Sequence, residues 1–237
     1  MTATGISSSG AIPDFAAARN EMVARQIRSR GIISARVLGA MAAVPRHEFV
    51  PIAAQSSAYA DEALPIGAGQ TISQPFIVAA AANALQLSGG EHVLEIGGGC
   101  GYQAAVLSLL ARDVVVVELR PSLAEASRER LARLGYANVR IEEADGSLGW
   151  LACAPYDAIL VSAAAPAIPP PLVEQLAEGG RLVIPVGDSE RQSMLRIVKR
   201  AGGLAQESLL ACRFVPLLGR HGWPDSLPNA VLGSAAR

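Results

Sequence analysis

Charge is scarce: Asp, Glu, Lys and Arg make up 17% of the 237 residues, and 20 basic against 21 acidic side chains leave a formal charge of −1. This balance speaks against a protein that binds nucleic acid by releasing counterions, or a membrane through a polybasic patch, because both need clustered positive charge. Long apolar runs are missing as well. The hydrophobic share is 51%, much of it alanine, but Pro, Gly, Ser or charge breaks every run before the ~20 residues that span a bilayer. The three cysteines, Cys100, Cys153 and Cys212, share no short spacing, so neither a disulfide framework nor a CxxC metal site is expected, and a reduced cytoplasm suits them. His47, His92 and His221 are far apart and carry no metal-ligand spacing, so each is expected in a surface or capping role and no metal is expected. Residues Met1 to Asp14 have neither a basic n-region nor an apolar h-region, and read as a disordered tail rather than a signal peptide.

What is present divides into two patterns. Apolar positions at Ala16, Met22, Val23 and Ile27 predict a helix over 16–30 that stops at Gly31, and Ser34 is placed to cap a second one ending before Pro45. Arg46 to Gln74, rich in Gly, Ser and Pro, is too long for an ordinary connection and reads as a binding loop. From about residue 77, helical and strand patterns alternate, the signature of a parallel α/β sheet. Strands are expected at 92–96, 114–118, 139–142, 158–162 and 181–186, with a closing antiparallel pair at 194–199 and 209–215. The four consecutive valines Val114 to Val117 imply burial on both faces.

The sharpest local signal is Val93-Leu94-Glu95-Ile96-Gly97-Gly98-Gly99-Cys100-Gly101. A strand running into glycines and then a helix lets the backbone approach a ligand at the carboxyl edge of the sheet. The spacing is GxGxG with Tyr102 next, so the GxGxxG dinucleotide fingerprint is absent, and no GK[ST] follows to make a P-loop. A nucleoside without a bound pyrophosphate fits better. Glu118, 21 residues after Gly97, suits a carboxylate on ribose hydroxyls at the adjacent strand end, and Asp145-Gly146 lies past the third strand where an adenine could meet it. Glu95, Glu118 and Asp145 together favour a cationic ligand over a phosphate, and S-adenosylmethionine carries both a sulfonium and an ammonium. Cys100 reads as structural.

These residues also carry a resemblance. The stretches Val44-Pro45-Arg46-His47, Leu64-Pro65-Ile66-Gly67, Gly69-Gln70-Thr71-Ile72-Ser73-Gln74-Pro75, Gly101-Tyr102-Gln103-Ala104-Ala105-Val106-Leu107, Ala154-Pro155-Tyr156-Asp157 and Arg181-Leu182-Val183-Ile184-Pro185-Val186-Gly187 closely resemble protein-L-isoaspartate (D-aspartate) O-methyltransferases, over about residues 20 to 220. The resemblance implies a Rossmann-like methyltransferase fold: a mostly parallel seven-stranded sheet with an antiparallel closing strand and added N-terminal helices. It implies S-adenosyl-L-methionine as donor and isoaspartyl proteins and peptides as acceptors. One domain is expected over 16–220, with tails at 1–15 and 221–237, working as a cytoplasmic monomer.

By position, the resemblance makes Ser73 the active-site residue and Gln70, Thr71 and Ile72 part of the pocket. Glu95, Gly97, Gly99, Glu118, Asp145, Gly146 and Gln192 match cofactor contacts. The departures are Gly98 and Cys100 in a loop commonly written Gly-Thr-Gly-Ser-Gly, Ala144 before Asp145, and Phe76 where a tyrosine is usual. Methyl transfer to a carboxylate needs no general base, since a carboxylate with a pKa near 4 is already ionised at neutral pH. Ser73 is therefore read as a hydrogen-bonding group that orients the acceptor, with a capping role for the helix at Pro75 as its structural alternative. The residues alone reach only a carboxylate or similar acceptor. A carboxyl methyltransferase for aspartate of a dedicated peptide partner, and a non-catalytic cofactor-binding adaptor, stay open at this point.

Overall fold

The computed structural model describes residues 14–224. Asp14 begins the structure as an N-cap, its carboxylate accepting from Ala16 N and Ala17 N, and α1 runs Phe15–Glu21. The helix then widens into a π segment at Met22–Ile27 and tightens into a 3₁₀ turn at Arg28–Arg30 before Gly31 ends it at φ +94°. Uniform helix was expected here. The extra residue per turn of a π segment rotates Met22, Val23 and Ile27 together into the core, where all three are buried. Ser34 caps α2 (Ala35–Ala43). Two 3₁₀ turns and a hairpin, β1 (Leu64–Gly67) and β2 (Gln70–Ile72), occupy the region read as a loop. Pro45 and Pro51, each just before a 3₁₀ turn, keep this stretch from continuing as α-helix.

The remainder alternates as expected: α3 (Pro75–Ala84), β3 (His92–Ile96), α4 (Tyr102–Ser108), β4 (Asp113–Glu118), α5 (Pro121–Arg133), β5 (Val139–Glu143), β6 (Tyr156–Val161), α6 (Pro170–Glu174), β7 (Leu176–Gly187), β8 (Gln192–Arg200) and β9 (Gly203–Cys212). The main sheet has the order β5-β4-β3-β6-β7-β8-β9. Strands β3 to β7 are parallel, β8 is antiparallel to β7, and β9 is antiparallel to β8. The strand running against the others is thus β8, one in from the edge, because the tight Ala201-Gly202 turn sends β9 back alongside it.

Each central strand feeds two apolar layers. Val114 and Val116 enter one with Val93, Leu160 and the N-terminal helices; Val115 and Val117 enter the other with Leu94, Ile159 and Leu172. Period-two alternation with apolar residues on both faces explains a strand that reads as continuous valine.

Two expectations shift. The tail boundaries at 15 and 220 are too generous: Phe15 stacks on His47, and Trp223 Nε1 donates to Ala164 O at 3.1 Å. Residues 1–13 and 225–237 of those tails lie outside the described residues. His47 and His92 are not surface groups. His47 sits between Phe15, at 3.9 Å between ring centroids, and the Tyr59 hydroxyl, 2.8 Å from Nδ1, and burial lowers its pKa. His92 stacks on Tyr156 at 4.7 Å, pairs with Asp113 and donates from Nε2 to Cys153 O at 3.0 Å.

Candidate active site

The carboxyl ends of three neighbouring strands stop at one level. Ile96 is in register with Val117 on one side and Val161 on the other, and the ladder continues one step further: Gly97 N donates to Val117 O and Ser162 N to Ile96 O, both at 2.8 Å. Gly97, Glu118 and Ser162 therefore stand in a row across the sheet. Gly97, Gly99 and Gly101 all have positive φ, at +82°, +54° and +87°, which turns the chain out of β3 and into α4 without a side chain over the row. Glu118 braces that turn. Its carboxylate accepts from Gly99 N at 2.8 Å and Arg120 N at 2.9 Å.

Above the row lies a cleft of two lobes. One, of about 480 Å³, is walled by Ser73, Thr71, Glu95, Tyr102 and the apolar Ile77 and Phe214. The other, of about 580 Å³, is walled by Gln70, Glu118, Gly146 and the segment Val215 to Leu218. Thr71, Gly97, Gly99 and Ser162 belong to both. The walls of the cleft mix polar and apolar groups, as those of small-molecule sites do.

Nine of the eleven residues expected from sequence meet there: Gln70, Thr71, Ile72, Ser73, Glu95, Gly97, Gly99, Glu118 and Gly146. Ser73 makes no side-chain hydrogen bond among the described residues, and the N-cap of α3 is Gln74. The hydroxyl does not cap the helix and stays available to a ligand. Glu95 is fully buried; Ser162 Oγ reaches its Oε1 at 3.5 Å while Oε2 has no partner. Burial first, and the Glu118 charge second, push its pKa well up. Cys100 is buried too, and burial pushes its thiol up, as an inert structural residue requires.

Asp145 and Gln192 do not line the cleft. Asp145 accepts from Ser147 N and Oγ, at 2.9 and 2.7 Å, and from Arg220 N at 2.8 Å. Gln192 accepts from Phe214 N at 2.6 Å and donates to Phe214 O at 3.2 Å. Together they fasten the 214–220 segment that forms the outer wall. Sequence reasoning missed that wall, which has no periodicity, and missed Ser162, whose place one residue past a strand paired with β3 was the available signal.

Two arginines tie down the chain between α2 and α3. Arg30 lies over the Phe76 ring at 3.7 Å and bonds Asp61 at 3.2 Å, while Gln74 Nε2 donates to Asp61 O at 3.1 Å. Arg46 is fully buried: Nε donates to Ala58 O at 2.7 Å, Nη2 to Glu62 O at 3.4 Å, and the guanidinium lies 5.0 Å from the Tyr102 ring centroid. It links the residues before the β1–β2 hairpin to the helix that follows the glycine turn.

The family model described as protein-L-isoaspartate(D-aspartate) O-methyltransferase matches residues 17–222. The chain belongs to this family. A protein-L-isoaspartate O-methyltransferase of Trichlorobacter lovleyi is 53% identical over 211 residues, covering 89% of this chain and 97% of that one. Protein-L-isoaspartate O-methyltransferase 1 of Syntrophobacter fumaroxidans is 51% identical over 210 residues, covering 89% and 98%. Among solved structures, a protein-L-isoaspartate O-methyltransferase superposes with a TM-score of 0.77 at 31% identity over 86% of this chain and 67% of that chain. A Plasmodium falciparum protein of the same description, in complex with S-adenosyl-L-homocysteine, gives 0.72 at 25% identity over 84% and 98%.

One departure from the family's pattern, Gly98, has a physical counterpart. A Cβ on Gly98 would stand 2.4 Å from Val116 Cγ1, so the valine of β4 fills the space that a threonine at position 98 would need. Gly146 is similarly confined, its Cβ position lying 2.5 Å from Ile96 Cγ2.

Proposed function

We infer that the chain transfers a methyl group from S-adenosyl-L-methionine to the side-chain carboxylate of L-isoaspartyl, and D-aspartyl, residues in proteins and peptides. The observation that carries this reading is the family match across residues 17–222, with relatives above 50% identity along nearly their whole length.

The cleft fits the donor. An orphaned, buried carboxyl oxygen on Glu95 suits a cation, and the bare glycines at 97 and 99 leave backbone-close space beside it. Glu118 and Gly146 would hold the nucleoside, Glu95 the cationic end, and Gln70 to Ile72 the cover. When bound, the donor supplies a methyl group on a sulfonium, which an oxygen nucleophile takes by in-line displacement. Ser73 donates its free hydroxyl to the acceptor carboxylate and fixes which lone pair points inward. Ile77 and Phe214 exclude water from the same lobe, and stripping water from the anionic nucleophile raises its reactivity. Positioning is the main catalytic contribution, and it can supply up to ~7–11 kcal/mol. Asp145 and Gln192 act one step back by holding the outer wall. The methyl ester then collapses as the following backbone amide nitrogen attacks its carbonyl and expels methanol, which carries away the amide proton, giving a succinimide that water opens partly to normal aspartate.

The reading extends to one methyltransferase domain working as a monomer in the cytoplasm, without nucleic acid or membrane. Three free cysteines suit a reducing compartment, and no helix among the described residues is long and apolar enough to cross a membrane. Sedimentation at the mass of one chain checks the monomer.

Labelled methyl transfer to two peptides differing only in isoaspartate or aspartate at one position tests the activity. Label should enter the isoaspartyl peptide alone. Equal labelling of both would remove the repair assignment, and labelling of neither would remove the activity.

A further inference from the structure

We propose that Glu95 holds a proton in the ligand-free protein and releases it when the cationic end of S-adenosyl-L-methionine enters the cleft, so that this residue selects for positive charge. The proposal rests on the donor assigned above. Its starting point is a contrast among the three acidic residues near the glycine turn. Glu118 accepts from Gly99 N and Arg120 N, and Asp145 from Ser147 and Arg220 N. Glu95 has one long contact, from Ser162 Oγ at 3.5 Å, and its Oε2 has none, although the residue is 0% exposed.

The surroundings of Glu95 offer no counter-charge. Its register partners are Val116 on β4 and Leu160 on β6. The titratable groups that face it are Glu118, from the end of β4, and the Cys100 thiol, from the glycine turn; Arg46 and Arg130 act on Cys100. A bare carboxylate in that place would be buried, unpaired and beside a second carboxylate, so the neutral acid is the stable form. Burial and Glu118 push the group in that direction, in agreement with the geometry.

A cation in the same lobe reverses the preference. The carboxylic acid O–H bond breaks, the electron pair stays on Glu95 as a carboxylate facing the cation, and the proton passes to the buffer. No bond of the ligand changes. The sign follows from linkage: the free form is protonated and the bound form ionised, so affinity is full above the free-state pKa of Glu95 and falls as pH drops below it. A ligand with the same nucleoside and no cation leaves the proton in place.

Calorimetric titration of the full chain at neutral pH, in two buffers of different ionisation enthalpy, counts the protons. S-Adenosyl-L-methionine should release about one proton more than adenosine, and its affinity should fall by up to about tenfold per pH unit below neutrality. Glu95→Gln should remove both the extra proton and this pH dependence. Equal release with the two ligands, or undiminished release from Glu95→Gln, would overturn the proposal. Infrared difference spectra of the wild-type protein give a second test that needs no variant: a carboxylic-acid carbonyl band should disappear on binding S-adenosyl-L-methionine and persist with adenosine. Failure of S-adenosyl-L-methionine to bind at all would instead overturn the donor assignment.

Discussion

Gly98 and Val116 form a pair whose members explain each other. With Val116 Cγ1 2.4 Å from where a Cβ on residue 98 would sit, Gly98→Thr forces the Val116 side chain or its strand to shift, and overpacking of this kind costs about 1–3 kcal/mol. The double variant with Val116→Ala should recover most of that loss in a thermal melt; simple additivity would show that the two positions do not share the space. Ser73 makes a different prediction. Removing a hydrogen bond to a charged group costs about 1.5–3 kcal/mol, so Ser73→Ala should lower kcat by roughly ten- to a hundredfold with cofactor affinity unchanged within about twofold. A matching loss of cofactor affinity in a binding titration would make the residue part of the donor wall instead.

Glu91 carries the clearest acid dependence. Burial raises its pKa, but the hydrogen bonds from Ser88 N, Ser88 Oγ and Gly89 N outweigh it and bring the group down to about 2. A folded-state pKa below the unfolded value contributes stability above the unfolded value and loses it as pH falls. Glu91→Gln should therefore be less stable than the wild type by about 2–3 kcal/mol at neutral pH, with the gap closing between about pH 4.5 and 2. A constant gap in denaturant titrations across that window would contradict the assignment. Gly98, Val116 and Ser73 stand out in the sequence; Glu91 and the partners of all four do not, because contacts such as Gly98 to Val116 join positions that only the folded sheet brings together.

Among the elements, the start of the outer wall of the cleft is held by the Gln192 amide. Gln192 holds Phe214 through both its oxygen and its nitrogen. Gln192→Ala leaves the half-buried Phe214 N–H and C=O without those partners, and amide exchange over 213–218 should speed up while cofactor affinity drops by roughly three- to thirtyfold. Faster exchange without weaker binding would mean that the wall does not contribute to holding the ligand. Legibility differed by element for physical reasons. β3 is read to the residue because a glycine turn ends it and Val93, Leu94 and Ile96 mark a buried strand. β9 is misplaced toward 209–215 because its residues are intermediate or exposed along most of their length, so no apolar alternation marks them. The β1–β2 hairpin escaped as well. Its strands are four and three residues long, too short for a period to register. α6 ends against the only lysine of the chain, Lys199, whose Nζ donates to Val173 O, Glu174 O and Leu176 O, an element terminus fixed by a strand 25 residues away in sequence.

At the scale of the molecule, one apolar layer runs from Met22 in the N-terminal helices to Met194 in β8, so the N-terminal helices and the sheet share a core. Ligand binding should then stabilise the whole chain. Saturation at a hundred times Kd contributes about 2.7 kcal/mol, which for a protein of this size raises Tm by about 5–10 °C. S-Adenosyl-L-homocysteine is a stable probe for that shift; two separate transitions, only one of them displaced, would show that the halves unfold independently. The parallel order of the central strands was legible from alternation alone. The antiparallel pair that closes the sheet was legible too, but not that its first strand, β8, is the one running against the rest, since direction within a sheet leaves no mark on hydrophobic spacing.

The row formed by Gly97, Glu118 and Ser162 is set by the hydrogen-bond ladder of β3, β4 and β6 and owes nothing to the loops above it. The sheet acts as a fixed ruler, and the connections can drift in sequence while the marks stay where they are. Replacing segment 46–74 by that of a relative should therefore leave the spacing of Gly97, Glu118 and Ser162 unchanged.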